Sequence, residues 1–157
     1  MAMDAADPAT AASTTDAPTD PKGELAVRIL AMPSDTNPSG DIFGGHIMSL
    51  MDVAGGITAG ALAQGRVATV AVTDMAFLRP VKVGDVICCY TDLTRLGRTS
   101  LTLHVEVWVL RQRQRDRIRV TFAEFTFVAL DETGKPRPIP PQMRQPSTAS
   151  ASAGIAG

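Results

Sequence analysis

From Ile42 to Ala63 the chain reads IFGGHIMSLMDVAGGITAGALA, apolar nearly all round and rich in helix formers after the Gly44–Gly45 pair. The stretch is longer than an ordinary strand, so it reads as a helix. Immediately upstream, Pro33 to Asp41 (PSDTNPSGD) is dense in turn formers, and before it Leu25 to Ala31 (LAVRILA) reads as a short strand. Downstream come four β patterns, Val67 to Leu78, Asp85 to Leu96, Thr99 to Leu110 and Arg117 to Leu130. In the third of these, Leu101, Leu103, Val105, Val107 and Val109 alternate with Thr102, His104 and Glu106, the period of a half-buried antiparallel strand. Gly97–Arg98 makes a tight connection, and the polar stretch Arg111 to Asp116 makes a longer hairpin. The sum is an α+β chain in which a five-stranded antiparallel sheet wraps one long helix. A helix apolar on every side must be covered on every side, and one sheet of this size leaves a flank open. A second copy is the natural cover, so a homodimer is the smallest unit expected.

The 157 residues, 45% of them hydrophobic, suffice for one domain with a packed core. Fifteen Lys and Arg against 16 Asp and Glu leave a net charge of -1, which gives no general attraction to nucleic acid or a membrane surface. The only cysteines, Cys88 and Cys89, are adjacent. A strand points them to opposite faces, so they fit neither a disulfide framework nor a metal knuckle. No apolar run approaches the ~18 residues of a membrane span, and the N-terminus lacks the basic-then-apolar order of a secretory signal. A cytoplasmic protein is expected. Residues 1–22, with seven Ala, four Thr, four Asp and three Pro, cannot offset their ordering entropy by burial, and residues 142–157 are similar. Both read as disordered tails around a domain at 23–141.

Between Asp41 and Arg66 the one formally charged residue is Asp52. A carboxylate in such surroundings is costly unless hydrogen-bonded or paired, and desolvation favours its protonated form, as catalytic acids and bases often require. The plainer alternative is a helix Asp that faces solvent or bonds a nearby Thr. The helix entry Asp41-Ile42-Phe43-Gly44-Gly45-His46 carries two glycines, which let a ligand approach the backbone and leave free N–H groups at the positive end of the dipole. Such an end suits a carbonyl oxygen on which negative charge develops. Its plainer alternative is a tight turn with Asp41 as the cap. Gly45 and Asp52 are about 10 Å apart along a helix at ~1.5 Å per residue, so one helix cannot bring both to one carbonyl. Two antiparallel helices across a two-fold axis can, with Asp52 of one subunit facing the glycine turn of the other.

Gly40 to Asp52 (GDIFGGHIMSLMD), AMPSDTNPSG before it, FLRPVKVGD (Phe77 to Asp85) after it, VGDVICCY and the EVWV stretch together resemble the hotdog-fold acyl-CoA thioesterases of the YciA type. The likeness runs over about residues 24–140. It implies a hotdog fold, a central helix wrapped by an antiparallel sheet, assembled as dimers and a trimer of dimers. It also implies hydrolysis of acyl-CoA to a free acid and CoA, without a metal or other cofactor. The resemblance places the essential carboxylate on Asp52, carbonyl polarisation on the amide of Gly45, and a supporting role on Asp41. It also brings Gly44 and His46 next to the substrate, His46 standing where some relatives carry an aromatic residue that shapes the acyl pocket.

On this reading Asp52 activates a water or attacks the thioester carbon directly, and the sequence leaves both open. His46 raises the rival reading of a hotdog dehydratase or hydratase, but it lies six residues from Asp52, roughly 600° around a helix and hence on another face. His104 reads as a surface or interface residue, and Ser49 as a small helix residue packed on the sheet rather than a nucleophile. Arg98 with Thr99 and Ser100, and Arg79 with Lys82, are candidates for the CoA phosphates, because the resemblance puts the nucleotide along the sheet edge. The alternating Arg111, Arg113, Arg115, Arg117 and Arg119 read first as a solvated hairpin and second as an anion site. Met75 and Phe77 are candidate contacts to the acyl or pantetheine arm. A non-enzymatic alternative is an acyl-CoA sensor that binds without hydrolysis. Regulators of that kind usually add a DNA-binding helix-turn-helix, which the acidic, Pro-broken N-terminal stretch does not resemble.

Overall fold

Alternation in the third β pattern predicts one buried face, and Leu101, Leu103, Val105, Val107 and Val109 are all buried in the computed structural model, which describes residues 17–114 and 116–141. The tails expected at 1–22 and 142–157 lie outside the described residues except for 17–22, as does Arg115. Five strands, β1 (Glu24–Leu30), β2 (Val67–Phe77), β3 (Val86–Leu96), β4 (Ser100–Leu110) and β5 (Arg117–Ala129), and one helix, α1 (Gly44–Ala63), make up the order β1-α1-β2-β3-β4-β5 with a single 3-10 turn at Pro33–Asp35. The strands form one sheet in the order β1-β3-β4-β5-β2, every neighbour antiparallel. The helix lies across the sheet's inner face and touches all five strands. It starts two residues later than the pattern predicts, because Ile42 is drawn into a bridge with Thr36 and its amide donates to the Val81 carbonyl (2.9 Å).

The helix buries Ile47, Met51, Ala54, Gly55, Ala59 and Ala63, a stripe at helical spacing. Gly55 is the point of closest approach: a Cβ there would stand 2.7 Å from Phe127 Cζ of β5. The opposite flank stays open, with Phe43, Met48, Val53 and Ile57 exposed. Beside them runs β2, at the end of the sheet, with Val70, Val72 and Phe77 exposed. One chain therefore covers one side of its helix, as the apolar pattern anticipates. At 20 residues the helix does meet the length and hydropathy of a membrane span, contrary to the sequence expectation. Its stripe of small residues is packed on the sheet, as in the core helix of a sheet-wrapped domain.

The outer face of the sheet holds a second, polar core that the alternation of β4 conceals. Glu106 is 1% exposed. It accepts hydrogen bonds from Trp108 Nε1 (2.8 Å) and the Lys22 amide (3.2 Å) and lies 3.1 Å from both His104 Nε2 and Arg119 Nη2. Burial pushes the Glu106 carboxyl up, but the bonds from His104, Trp108 and Lys22 and the charge of Arg119 outweigh it and hold the group down at about 2. His104, with Nδ1 2.6 Å from Glu124, is raised by Glu106 first and Glu124 second, against the effect of burial. Of the surface or interface placement read from its alternation, the free-surface half is corrected: within one chain His104 is a largely buried member of a charge network. Two of the hairpin arginines are corrected in the same way, while Arg113 and Arg117 are exposed as expected: Arg119 stacks on Phe122 (4.4 Å) and pairs with Glu106, and Arg111 pairs with Asp85 (3.4 Å) and donates to the Pro80 carbonyl (2.9 Å). Long arginine stems lie along the sheet while their heads meet buried acids.

Candidate active site

Backbone groups at the start of α1 set the site. The cap residue is Phe43, no side chain caps the helix, and the His46 and Ile47 amides fold back to the Phe43 carbonyl (3.0 and 3.2 Å). Asp41 is therefore not the cap: its carboxylate pairs with Lys82 Nζ, and its backbone bridges to the same residue. Lys82, a candidate phosphate ligand, is occupied there by Asp41. Gly45 faces open space, with nothing within 4 Å of where a Cβ would stand, whereas a Cβ on Gly44 would meet the Phe77 ring at 3.4 Å. A cavity of about 310 Å³ opens beside this turn, with Asn37, Asp41, Gly44, Phe77, Arg79 and Thr121 in its wall. Its size falls within the range of small-molecule pockets.

Asn37 is the member that sequence reasoning left among the turn formers. Its Oδ1 accepts the amides of Ser39 (2.9 Å) and Asp41 (3.1 Å), an Asx turn that fixes Asp41 and leaves the side-chain NH2 as a donor at the cavity wall. The signal was present in the turn-rich PSDTNPSGD, but turn chemistry alone does not separate a positioning Asn from a merely structural one.

Asp52 lies on the open flank, about two turns beyond Gly45, exposed and accepting a 2.5 Å hydrogen bond from Thr69 Oγ1 of β2. In a single chain the plainer alternative holds for it: the carboxylate is bonded to a Thr and faces outward, so any desolvation must come from a second copy. His46 Nε2 sits 3.6 Å from Asp35 and away from Asp52. Ser49 is exposed and its hydroxyl donates to the His46 carbonyl (2.7 Å), so it is neither packed on the sheet nor activated. Met75 packs against the core beside Asp74, whose φ of 54° marks an irregularity in the β2–β5 pairing, and is not in the cavity wall. Arg79 lines the cavity and donates through Nη1 to the Arg119 carbonyl (3.2 Å).

Arg98, Thr99 and Ser100 belong to the other end of the molecule. The Arg98 and Thr99 carbonyls accept the amides of Ile139 and Ala129, each at 2.8 Å, and Ser100 pairs with Val128. That is the end where Val67, just past the helix, pairs with Ala129. A 20-residue helix spans about 30 Å, so within one chain these residues cannot meet the cavity at Gly44. Among the described residues no group of three or more His, Cys, Asp or Glu is placed to hold a metal ion.

A helix tip bearing two glycines, wrapped by this sheet, has known counterparts. Residues 39–115 match the family model of the thioesterase superfamily. The acyl-CoA thioester hydrolase YciA of Salmonella typhimurium is 53% identical over 125 residues, 78% of this chain and 94% of that protein. The chain belongs to the thioesterase superfamily. Its hotdog fold is shared with a solved structure, the hexameric thioesterase y2039 from Yersinia pestis (TM-score 0.73, 56% identity, 76% of this chain and 98% of that one). An acyl-CoA hydrolase from Staphylococcus aureus, solved with butyryl-CoA and CoA, is 30% identical (TM-score 0.68, 73% of this chain and 70% of that one). That enzyme has also been solved as two alanine variants, one at an Asn and one at an Asp fifteen residues further along.

Proposed function

We propose that this chain hydrolyses acyl-CoA thioesters to the free acid and CoA, with Asp52 of one protomer and the Gly45 amide of its partner forming one site. The observation that carries the reading is the placement of Asp52 on the same open apolar flank as the uncapped helix start, where a two-fold partner would lie. The Asp52 carboxylate takes a proton from water as the water oxygen bonds to the thioester carbon. The carbonyl electron pair moves onto oxygen, where the Gly45 N–H and the helix dipole stabilise it. On collapse the electron pair on oxygen re-forms the carbonyl, the C–S bond breaks, the sulfur leaves with the C–S bonding pair, and the proton held by Asp52 goes to it. No redox partner or cofactor enters this balance. Direct attack by Asp52, through an anhydride, gives the same products.

Asn37 joins Asp52 in this reading. The two are fifteen residues apart, the same spacing as the two positions replaced in the Staphylococcus aureus enzyme. The Asn37 amide then donates toward the substrate carbonyl or the water from the cavity wall, while Asp41, held by Lys82, supports it. Gly44, His46 and Phe77 flank the acyl group. The domain is placed at 23–141, the assembly as a trimer of dimers, like the hexameric Yersinia pestis relative, and the protein in the cytoplasm, in keeping with the free thiols of Cys88 and Cys89.

The pairing of His46 with Asp35 argues against a hydratase dyad with Asp52. Incubation of the purified protein with acyl-CoA esters of graded chain length and a free-thiol reagent tests the proposal. Thiol release that is lost in Asp52→Asn supports it. Binding without thiol release would instead make the protein a sensor.

A further inference from the structure

The cavity at the helix start has a buried apolar floor and, among the described residues, one aromatic ring in its wall. Ile42, Ile47, Val81 and Val120 are each at most 5% exposed, whereas Phe77 is 52% exposed and stands against Gly44, where a Cβ would meet the ring at 3.4 Å. The register of β2 puts the ring there. Thr73 pairs with Glu124, whose carboxylate meets His104 on the outer face of the sheet. Phe77 follows four residues later, and in an unbroken strand residues an even number apart share a face, so its ring would point outward too. Between Thr73 and Ala76, however, β2 takes three steps against two on β5, from Glu124 to Phe122, and inside that step Asp74 is left-handed, with a φ of 54°. The bulge moves Phe77 to the inner face, where it pairs with Thr121 and lines the cavity.

We infer that the left-handed bulge at Asp74 fixes the length of acyl group that this cavity accepts, by turning Phe77 to the helix side, where its ring closes the apolar end. This rests on the acyl-CoA reading of the site and names what limits its substrate. Asp is one of the few residues besides Gly that adopt a positive φ singly, whereas a β-branched residue there is strongly disfavoured. Asp74 is exposed and does not line the cavity, so it is a positioning residue that acts through Phe77. An apolar pocket separates substrates by about tenfold or more for a methylene that it has or lacks room for, so chain length is the property the ring controls.

The readout is the ratio of kcat/KM for decanoyl-CoA to that for butyryl-CoA in the thiol-release assay, taken in variants whose thermal melt and elution volume match wild type. Phe77→Ala is expected to raise the ratio about tenfold. Asp74→Val, which opposes the bulge, is expected to raise it by a similar factor, while Asp74→Gly, which fits the left-handed backbone, keeps the wild-type ratio. Adding Asp74→Val to Phe77→Ala is expected to give no further rise, because the first acts through the ring that the second removes. A general loosening of the fold would lower both rates together and leave the ratio unmoved. If Asp74→Val does not match the wild-type melt, Asp74→Ala takes its place. An unchanged ratio in Phe77→Ala, or equal ratios in the folded Asp74→Val and Asp74→Gly, overturns the inference and leaves the acyl-CoA reading intact. Wild-type protein that releases thiol from neither ester overturns that reading, and the inference with it.

Discussion

Asp52 sits in the one stretch where a charge is conspicuous, yet the fold gives it a Thr69 hydroxyl and open space rather than a buried pocket. Its isolation between Asp41 and Arg66 was legible in the sequence because charge is a property of the residue. Its bond to Thr69 was not, since β2 meets the helix only in the folded chain. For a group acting as general base, Asp52→Asn is expected to lower kcat by about 10²- to 10⁴-fold without changing the elution volume of the oligomer. Asn37→Ala is expected to lower kcat/KM as well, because it removes a donor from the cavity wall and releases the Asx turn that holds Asp41. Full activity in either variant in the thiol-release assay would remove that residue from the mechanism.

At the scale of elements, every strand and the helix were readable from hydrophobic period, with ends shifted by one or two residues where a bridge or turn competes. What the period hid was the second core on the outer face of β4. Alternation marks Glu106 as solvent-facing, but Trp108, Arg119 and His104 come to it from the same and neighbouring strands.

This network makes stability depend on pH at both ends. Glu106 is depressed in the folded state, so its contribution is present above its ordinary value near 4.5 and is lost as pH falls toward about 2. His104 is raised, so its contribution is complete below 6.5 and is lost as pH rises through its folded value. Thermal melts from pH 3 to 9 are expected to peak between these limits, and His104→Gln is expected to flatten the alkaline limb and to leave a shallower acid one, held by the bonds to Glu106 from Trp108 and Lys22 and by the charge of Arg119. At the helix, Gly55→Ala is expected to cost about 1–3 kcal/mol in a denaturant titration, since its methyl would meet Phe127 at 2.7 Å. An unchanged midpoint would mean that the helix can lift off β5 at no cost.

For the molecule as a whole, the exposed flank of Phe43, Met48, Val53 and Ile57 beside the end strand β2 is where the two halves of the proposed site are to be joined. Subunit mixing checks this directly. Asp52→Ala and Gly45→Pro, which removes the amide proton, are each expected to be inactive. After co-refolding in equal amounts, half of the dimers are mixed and each holds one intact site of two, so about a quarter of wild-type activity should return. A mixture as inactive as its components would place both groups in one chain.

The amino-acid sequence alone determined the helix, the antiparallel strands, the single carboxylate and the glycine turn, because period, charge and backbone freedom are local properties carried by the residues themselves. Only the tertiary structure decided that Lys82 is held by Asp41, that Arg98 to Ser100 lie about a helix length from the cavity, and that Asn37 and the outer-face arginines line open space. Those are distances between elements, set by how the sheet curls and in which order its strands pair, and no local pattern encodes them.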